Sequence, residues 1–421
     1  MIIHLDLDTF FCSCERIRNP GLIGKKMAVG GRGDPFIFAR KPAQAKKLIT
    51  LNSGAFVPPL YHAAHDTSSY FKEGDKIRGI ITTASYEARA YGVKTGMSIH
   101  EALRLCPDII LIPPDHLLYH TLSHELMEYL ASVIPVMEQY SIDEMFGDLR
   151  GWIEDDETES FIQELQTSIS MKFKLPVSIG ASSAKWIAKL ATGSAKPYGT
   201  KVVQQEDIKA FVKDIPIDDF PGVGKAFSAK MVRYGIKTIG NAWDSPHLFH
   251  SWGRQGCDLY AKLTGTDREP VSLHRSRKGI GISRSMDHPI KERDELFRRI
   301  SIMVRHWSHT IMKLGVNPTT YHFSLGYEGW DSSKKQYTVY RLFNESFIQH
   351  FAHEKFKELD LYPNVNVRYI AMSATKFIHH DPKTLDIFEY ANDTKMRKLT
   401  DALTKVRDKY GMDIVRGGGE L

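Results

Sequence analysis

The chain of 421 residues is poor in cysteine and has no long apolar run. Its four cysteines, Cys12, Cys14, Cys106 and Cys257, are too few and too scattered for a disulfide framework. Cys12 and Cys14 form a C-x-C pair with no second Cys or His pair at zinc spacing nearby, so they read as two adjacent buried thiols. No stretch approaches the ~18 apolar residues that cross a bilayer, which excludes a helical membrane span. No charged-then-apolar leader is present, because Asp6 and Asp8 interrupt the N-terminus. The expected address is the cytoplasm, with no membrane partner. There is also no low-complexity block and no long internal repeat.

What is present is ordinary for a soluble globular protein: 42% hydrophobic and 25% charged residues. The length suggests two to four domains. The net charge of +6 is unevenly placed. Residues 1–184 hold 18 Lys and Arg against 23 Asp and Glu, whereas residues 185–421 hold 38 against 27. An acidic front suits cations and a basic back suits a polyanion. Strand and helix patterns alternate irregularly over residues 1–210, which predicts an α+β fold with a mixed, largely antiparallel sheet and helices on one face. Residues 214–265 read as helices with tight Gly turns. "EPVSLHRSRKGIG" reads as a basic linker, residues 283–421 as one β-α-β-β-α-β unit, and "VRGGGEL" as a flexible tail.

The first strand, "IIHLDL", alternates apolar and polar residues, which predicts that Asp6 and Asp8 share one face. Adjacent carboxylates repel unless a cation sits near them. A second acidic pair, Asp143-Glu144, falls in "YSIDE", read as a turn between two strands. If the first strand lies beside that hairpin, up to four carboxylates converge into hard oxygen ligands suited to Mg²⁺ or Mn²⁺. Tyr86 and Arg89 in "YEAR" are spaced i, i+3, so on a helical turn they share a face and could clamp phosphate oxygens. Lys196 in "AKP" sits at a helix end, where it could reach a phosphate or simply favour the helix dipole. "FPGVGKAFSAK" has helix-hairpin-helix spacing: N–H groups at Gly222 and Gly224 could meet a DNA phosphate, aided by Lys225.

The segments "LDLDTFF", "TTASYEARAYGVKTGM", "YSIDEMFGDL", "SIGASSAKWIAKLATGSAKPYG", "FPGVGK" and "KVRDKYG" occur in the order found in Y-family translesion DNA polymerases. The chain most resembles the DNA polymerase IV (DinB-type) branch, over nearly its whole length except roughly 34–77. The resemblance implies a right-hand polymerase with a mixed-sheet palm, small fingers, a helical thumb and a C-terminal α+β little finger. The implied boundaries are 1–10 and 113–207 for the palm, 11–112 for the fingers with an insertion at 34–77, 208–270 for the thumb, 271–282 for a linker and 283–421 for the little finger. It implies Asp6, Asp143 and Glu144 as catalytic ligands of two Mg²⁺, with Mn²⁺ able to substitute and the Leu7 carbonyl as a further ligand. Asp8 is expected to shape the site.

The resemblance further implies that Tyr86, Arg89 and Lys196 grip the triphosphate of an incoming dNTP. Thr83 and the backbone N–H groups of Phe10 and Phe11 add to that grip. Phe11 falls at the family's steric gate, where a ring under the sugar excludes a 2′-OH; Phe10's ring is expected to pack. The implied activity is template-directed addition of deoxynucleotides to a primer 3′ end, with low-fidelity, lesion-tolerant synthesis in DNA damage tolerance. Primer-template DNA is the implied partner and a monomer the expected state.

The chain departs from the family in two places. An insertion of about 45 residues, at about 34–77, lies between "VGG" and "TASYEAR" and carries Arg40, Lys41, Lys46, Lys47 and several aromatics. Their expected roles are elaboration of the fingers or contact with DNA or a partner. The Q-L-x-L-F peptide with which many relatives bind a sliding clamp is not visible in "VRGGGEL"; "ELDLY" at 358–362 resembles it but reads as structural. Two rivals share parts of the pattern: an inactive DNA-binding or scaffolding relative, and a palm-domain nucleotidyl cyclase.

Overall fold

A computed structural model of the chain describes residues 1–32, 37–38, 70–73, 76–273, 277–329, 331–378 and 388–420. The first strand, Ile2–Leu7, is the middle of a five-stranded sheet. It pairs antiparallel with Glu144–Asp148 on one side and Val177–Ser182 on the other. Val136–Gln139 lies outside the former, and Thr200–Val203 runs parallel to the latter. The sheet is therefore mixed and largely antiparallel, as its irregular alternation of elements predicts.

Ile3, Leu5 and Leu7 face helices His116–Val133 and Thr158–Phe173, burying Leu126, Leu130, Ile162, Leu165 and Ile169. The expectation of helices on one face is incomplete. Helix Lys185–Ala195 lies on the other face, where the Thr192 hydroxyl donates to the His4 carbonyl at 2.9 Å. Gly180, opposite His4, allows this approach: a Cβ there would sit 2.3 Å from the Thr192 nitrogen. The even-numbered residues of the first strand, His4 and Asp6, are thereby turned toward a helix that carries Lys185 and Lys189 and ends at Lys196.

A smaller sheet, in the order Ile80–Ala84, Met27–Gly31, Ile110–Ile112, packs with helices Phe10–Arg18 and Ile99–Leu105. Five short helices between Ile208 and Leu263 pack around Met231, Ile239 and Phe249, in a core they share with Trp186, Ile187 and Leu190 of helix Lys185–Ala195. The C-terminal unit is a four-stranded antiparallel sheet in the order Gly279–Ile290, Val367–Ile378, Asn317–Tyr327, Ser332–Thr338. Its chain order is the expected β-α-β-β-α-β, followed by helix Tyr390–Tyr410.

Three buried polar attachments tie these parts together. Lys185 and Glu138, each 1% exposed, pair at 2.6 Å. Glu138 also accepts from the Ser272 N–H at 2.9 Å, and Lys185 donates to the Pro270 carbonyl at 3.3 Å. The start of the expected linker is thus fixed to the main sheet, with Val271 packed on Ile2 and Phe146. The second attachment corrects the expected flexible tail. Glu420 is buried and pairs with Arg305 at 2.8 Å, and Gly418–Glu420 forms a turn of 3₁₀ helix. A buried guanidinium needs anionic partners, and Asp413 at 3.0 Å with Glu420 supplies them. Composition hides this, because the three glycines of the tail say nothing of an arginine 115 residues earlier.

The third attachment involves the 34–77 insertion. Arg298 donates to the Phe38 carbonyl at 3.0 Å and Arg299 lies over the Phe38 ring, which packs on the C-terminal core. Tyr70 and Phe71 are buried with the small sheet. Arg40, Lys41, Lys46 and Lys47 lie outside the described residues.

Candidate active site

The first strand ends where three carboxylates meet. Asp6 is directly opposite Glu144 in the antiparallel ladder, and the Leu7 N–H donates to the Asp143 carbonyl at 2.9 Å. Ser141 shapes the turn between the two partner strands. Its oxygen accepts from the N–H groups of Asp143 and Glu144 at 3.3 and 3.1 Å, while its hydroxyl donates to Asp143 Oδ1. "YSIDE" is thus a turn closed by its own serine and pinned to the end of the first strand.

Each carboxylate has a donor. Lys196 Nζ is 2.6 Å from Asp6 Oδ1, Lys189 Nζ pairs with Glu144 Oε1, and Ser141 holds Asp143. Burial pushes the Asp6 carboxyl up to about 7 against the pull of Lys196, and Glu144 and Asp143 add to the rise. Burial also raises Asp143, opposed by Ser141 and aided by Glu144. Among the described residues, no three Asp, Glu, His or Cys side chains are already drawn around one point as a metal cage. The donor set nevertheless suits a hard cation: three carboxylates at one strand end, two of them paired with Lys196 and Lys189, with burial disfavouring the charge on Asp6 and Asp143.

Asp8 does not join them. The strand stops at Leu7, and Asp8 lies in the turn before helix Phe10–Arg18, with Thr9 at φ 47°. The Asp8 carboxylate is fully buried and accepts from the Tyr86 hydroxyl at 2.6 Å, the Ser178 hydroxyl at 2.8 Å and the Tyr198 N–H at 3.1 Å. The shared face expected for Asp6 and Asp8 therefore fails, because regular alternation ends between them. Three carboxylates converge, and the fourth braces the scaffold.

Tyr86 and Arg89 do share a face. Ser85 caps their helix, and the Arg89 guanidinium lies 5.2 Å from the Tyr86 ring centroid. Arg89 Nε donates to the Ala84 carbonyl at 3.0 Å, and Thr83 stands half-buried on the preceding strand. Helix Phe10–Arg18 begins with no side-chain cap on its first-turn N–H groups, which include those of Phe10 and Phe11. The two rings divide. Phe10 is 2% exposed in the core, whereas Phe11 is partly exposed and stacks on Tyr119. Burial raises the pKa of both Cys12 and Cys14, which are inert core thiols on this helix.

In the expected hairpin, Gly222 adopts φ +95° and Gly224 starts helix Lys225–Arg233 without a side-chain cap. A Cβ on either glycine would meet nothing within 4 Å, so this surface is open to a backbone, with Lys225 exposed beside it. The "ELDLY" stretch is divided, with Leu361 and Tyr362 exposed. Leu359 is buried, and Arg293 forks onto Asp360 and the carbonyls of Tyr362 and Val365. The sequence reading singled out neither Ser141 nor Lys189 by role. Both lie inside quoted motifs, but no spacing rule marks them.

Residues 5–193 match the impB/mucB/samB family, and residues 205–236 match the IMS family HHH motif. The chain is 29% identical to DNA polymerase IV of Clostridium kluyveri, over 99% of this chain and 97% of that one. It is 27% identical to DNA polymerase IV 1 of Bacillus subtilis, over 100% and 93%. Among solved structures, it is similar to the Y-family DNA polymerase chimera Dbh-Dpo4(243-245)-Dbh, with a TM-score of 0.72 and 22% identity over 90% of this chain and 99% of that one. The fold is therefore that of a right-hand polymerase, with palm, fingers, thumb and little finger. The chain belongs to the Y family of translesion DNA polymerases, on the DNA polymerase IV branch. Among the described residues, no helix is long and apolar enough to cross a membrane.

Proposed function

We infer that the protein is a template-directed DNA polymerase that extends a primer 3′ end with deoxynucleotides, serving translesion synthesis. The observation that carries this reading is the juxtaposition of Asp6 and Glu144 across one antiparallel ladder, with Asp143 fastened to the next residue and Lys196 on Asp6. DNA polymerase IV relatives span the same length, and a solved relative is described as an insertion ternary complex of Dbh DNA polymerase. Primer-template DNA and dNTP are the proposed partners. The palm is assigned to 1–10 and 113–207, the fingers to 11–112, the thumb to 208–270, the linker to 271–282 and the little finger to 283–421.

Asp6, Asp143, Glu144 and the Leu7 carbonyl would hold two Mg²⁺, which supply the positive charge that favours a primer alkoxide and neutralises the triphosphate. The protein's own groups do the rest. Lys196, released from Asp6, and Arg89 meet the charge that grows on the leaving pyrophosphate. The Tyr86 hydroxyl, released from Asp8, and Thr83 add hydrogen bonds to the triphosphate. The uncapped first turn of helix Phe10–Arg18 gives it two N–H donors. The Phe11 ring excludes a 2′-OH by clash. Gly222, Gly224 and Lys225 take the duplex by its backbone, without reading bases.

Primer extension with Mg²⁺ and dNTPs tests the reading, with the Asp143→Ala/Glu144→Ala variant as control. Extension by the wild type and its loss in the variant are expected. A wild type that binds primer-template yet extends nothing would support the inactive, scaffolding alternative instead.

A further inference from the structure

A ring that rejects a ribose by clash must not move. One added oxygen is excluded only if the ring cannot shift by an ångström or so, and a partly exposed Phe is free to rock about its side-chain torsions unless something stops it. The structure shows what stops Phe11. Its ring stacks on Tyr119 with centroids 4.4 Å apart and planes 12° apart, and the His116 ring meets it edge-on at 5.8 Å. Tyr119 is fully buried, and its hydroxyl donates to Glu15 Oε1 at 2.6 Å.

These contacts close a circuit. Phe11 and Glu15 are four residues apart on helix Phe10–Arg18, so they share a face. Tyr119 enters that face from helix His116–Val133 and is held at both ends, its ring by Phe11 and its oxygen by Glu15. Glu15 also pairs with Arg18, and Arg18 reaches Asp115 at 2.9 Å. Asp115 caps the very helix that carries His116 and Tyr119. A stacked ring alone could slide; one whose hydroxyl is tied to a residue on its partner's own helix cannot slide without breaking that bond.

We propose that Tyr119 is a positioning residue for sugar selection: it fixes the Phe11 ring against displacement by a 2′-OH, and Glu15 locks Tyr119 in place. This rests on Phe11 being the gate, and it adds a second residue through which ribonucleotides are excluded. Tyr119 itself does not touch the nucleotide; it acts through Phe11.

The test is steady-state insertion of matched dNTP and rNTP by wild type, Phe11→Ala, Tyr119→Ala, Tyr119→Phe and Glu15→Gln, with thermal melting of each. The readout is the ratio of kcat/KM for the two sugars, which a general loss of stability does not move. Phe11→Ala should abolish most discrimination. Tyr119→Ala should lower it by roughly two- to tenfold, the worth of one aromatic pair, with a smaller loss in dNTP insertion. Tyr119→Phe keeps the stack but loses the tie to Glu15, and its discrimination should fall between that of Tyr119→Ala and the wild type. Glu15→Gln keeps an acceptor and should lose the least, and Tyr119→Phe serves if Tyr119→Ala does not fold. Relaxed selectivity in Phe11→Ala with unchanged selectivity in both Tyr119→Ala and Tyr119→Phe overturns the proposal for Tyr119. Unchanged selectivity in Phe11→Ala overturns the gate reading itself, and this proposal with it.

Discussion

The Tyr86 hydroxyl donates to Asp8 Oδ1 at 2.6 Å, joining the end of the first strand to the helix that carries Arg89. Ser178 and Tyr198 donate to the other oxygen of the same carboxylate. Asp8→Ala leaves these donors without an acceptor, one of them, Ser178, in the interior. A loss of ~2–4 kcal/mol is expected in urea denaturation. Nucleotide KM should rise as well, because the helix carrying Tyr86 and Arg89 loses its tie to the end of the first strand. A variant as stable as the wild type would remove Asp8 from this bracing role.

The Lys185–Glu138 pair sits where the main sheet meets the start of the linker. Lys185→Met leaves Glu138, 1% exposed, without its ammonium partner, and should cost ~3–5 kcal/mol. The double variant Lys185→Met/Glu138→Leu should recover most of that. Chemical denaturation of the three variants gives the comparison.

Removal of residues 417–421 takes Glu420 from Arg305, a guanidinium that is 1% exposed. A lower melting temperature is expected, equivalent to ~2–3 kcal/mol. Glu420→Gln should cost less, since a neutral acceptor remains. A loose tail would leave both melting curves where they are.

Burial pushes His116 down to about 3 and His309 down to about 4. The folded state thus resists protons that the unfolded chain takes up near 6.5. The contribution of these two histidines to folded stability should be intact above about 6.5 and be lost as pH drops from there toward about 4, opposed by the raised Asp6 carboxyl. His309→Gln should flatten part of that slope in melts between pH 7 and 4; an identical slope would show that His309 does not titrate on unfolding.

Lys225 stands beside two glycines whose surface is open. Lys225→Ala should weaken duplex binding about equally for unrelated sequences and reduce the slope of log affinity against log salt by about one. Fluorescence anisotropy across a salt series measures it, and a sequence-dependent loss would argue for base contacts instead.

Much of the fold was legible because it depends on local patterning. Alternation marked Ile2–Leu7 as a strand, and the β-α-β-β-α-β order of the C-terminal unit followed from element periods. Gly180 was not legible as the contact point of helix Lys185–Ala195, since a glycine inside a strand has several explanations. The tail misled for a related reason. Glycine content describes the freedom of a chain on its own, not the arginine it will neutralise.

The sequence by itself determined the chemistry available: which residues are acidic, which lysine ends a helix, where two aromatic rings follow a strand. It also determined that Tyr86 and Arg89 share a face, because that spacing is local. Only tertiary structure decided the roles of residues that look alike. Asp6 and Asp8 differ by two positions, yet one faces Glu144 and the other is enclosed by three donors. Phe10 and Phe11 are neighbours, yet one fills the core and the other leans on Tyr119. In each case the deciding partner is remote in sequence, and a strand end or a helix turn between adjacent residues sends their side chains to different surroundings.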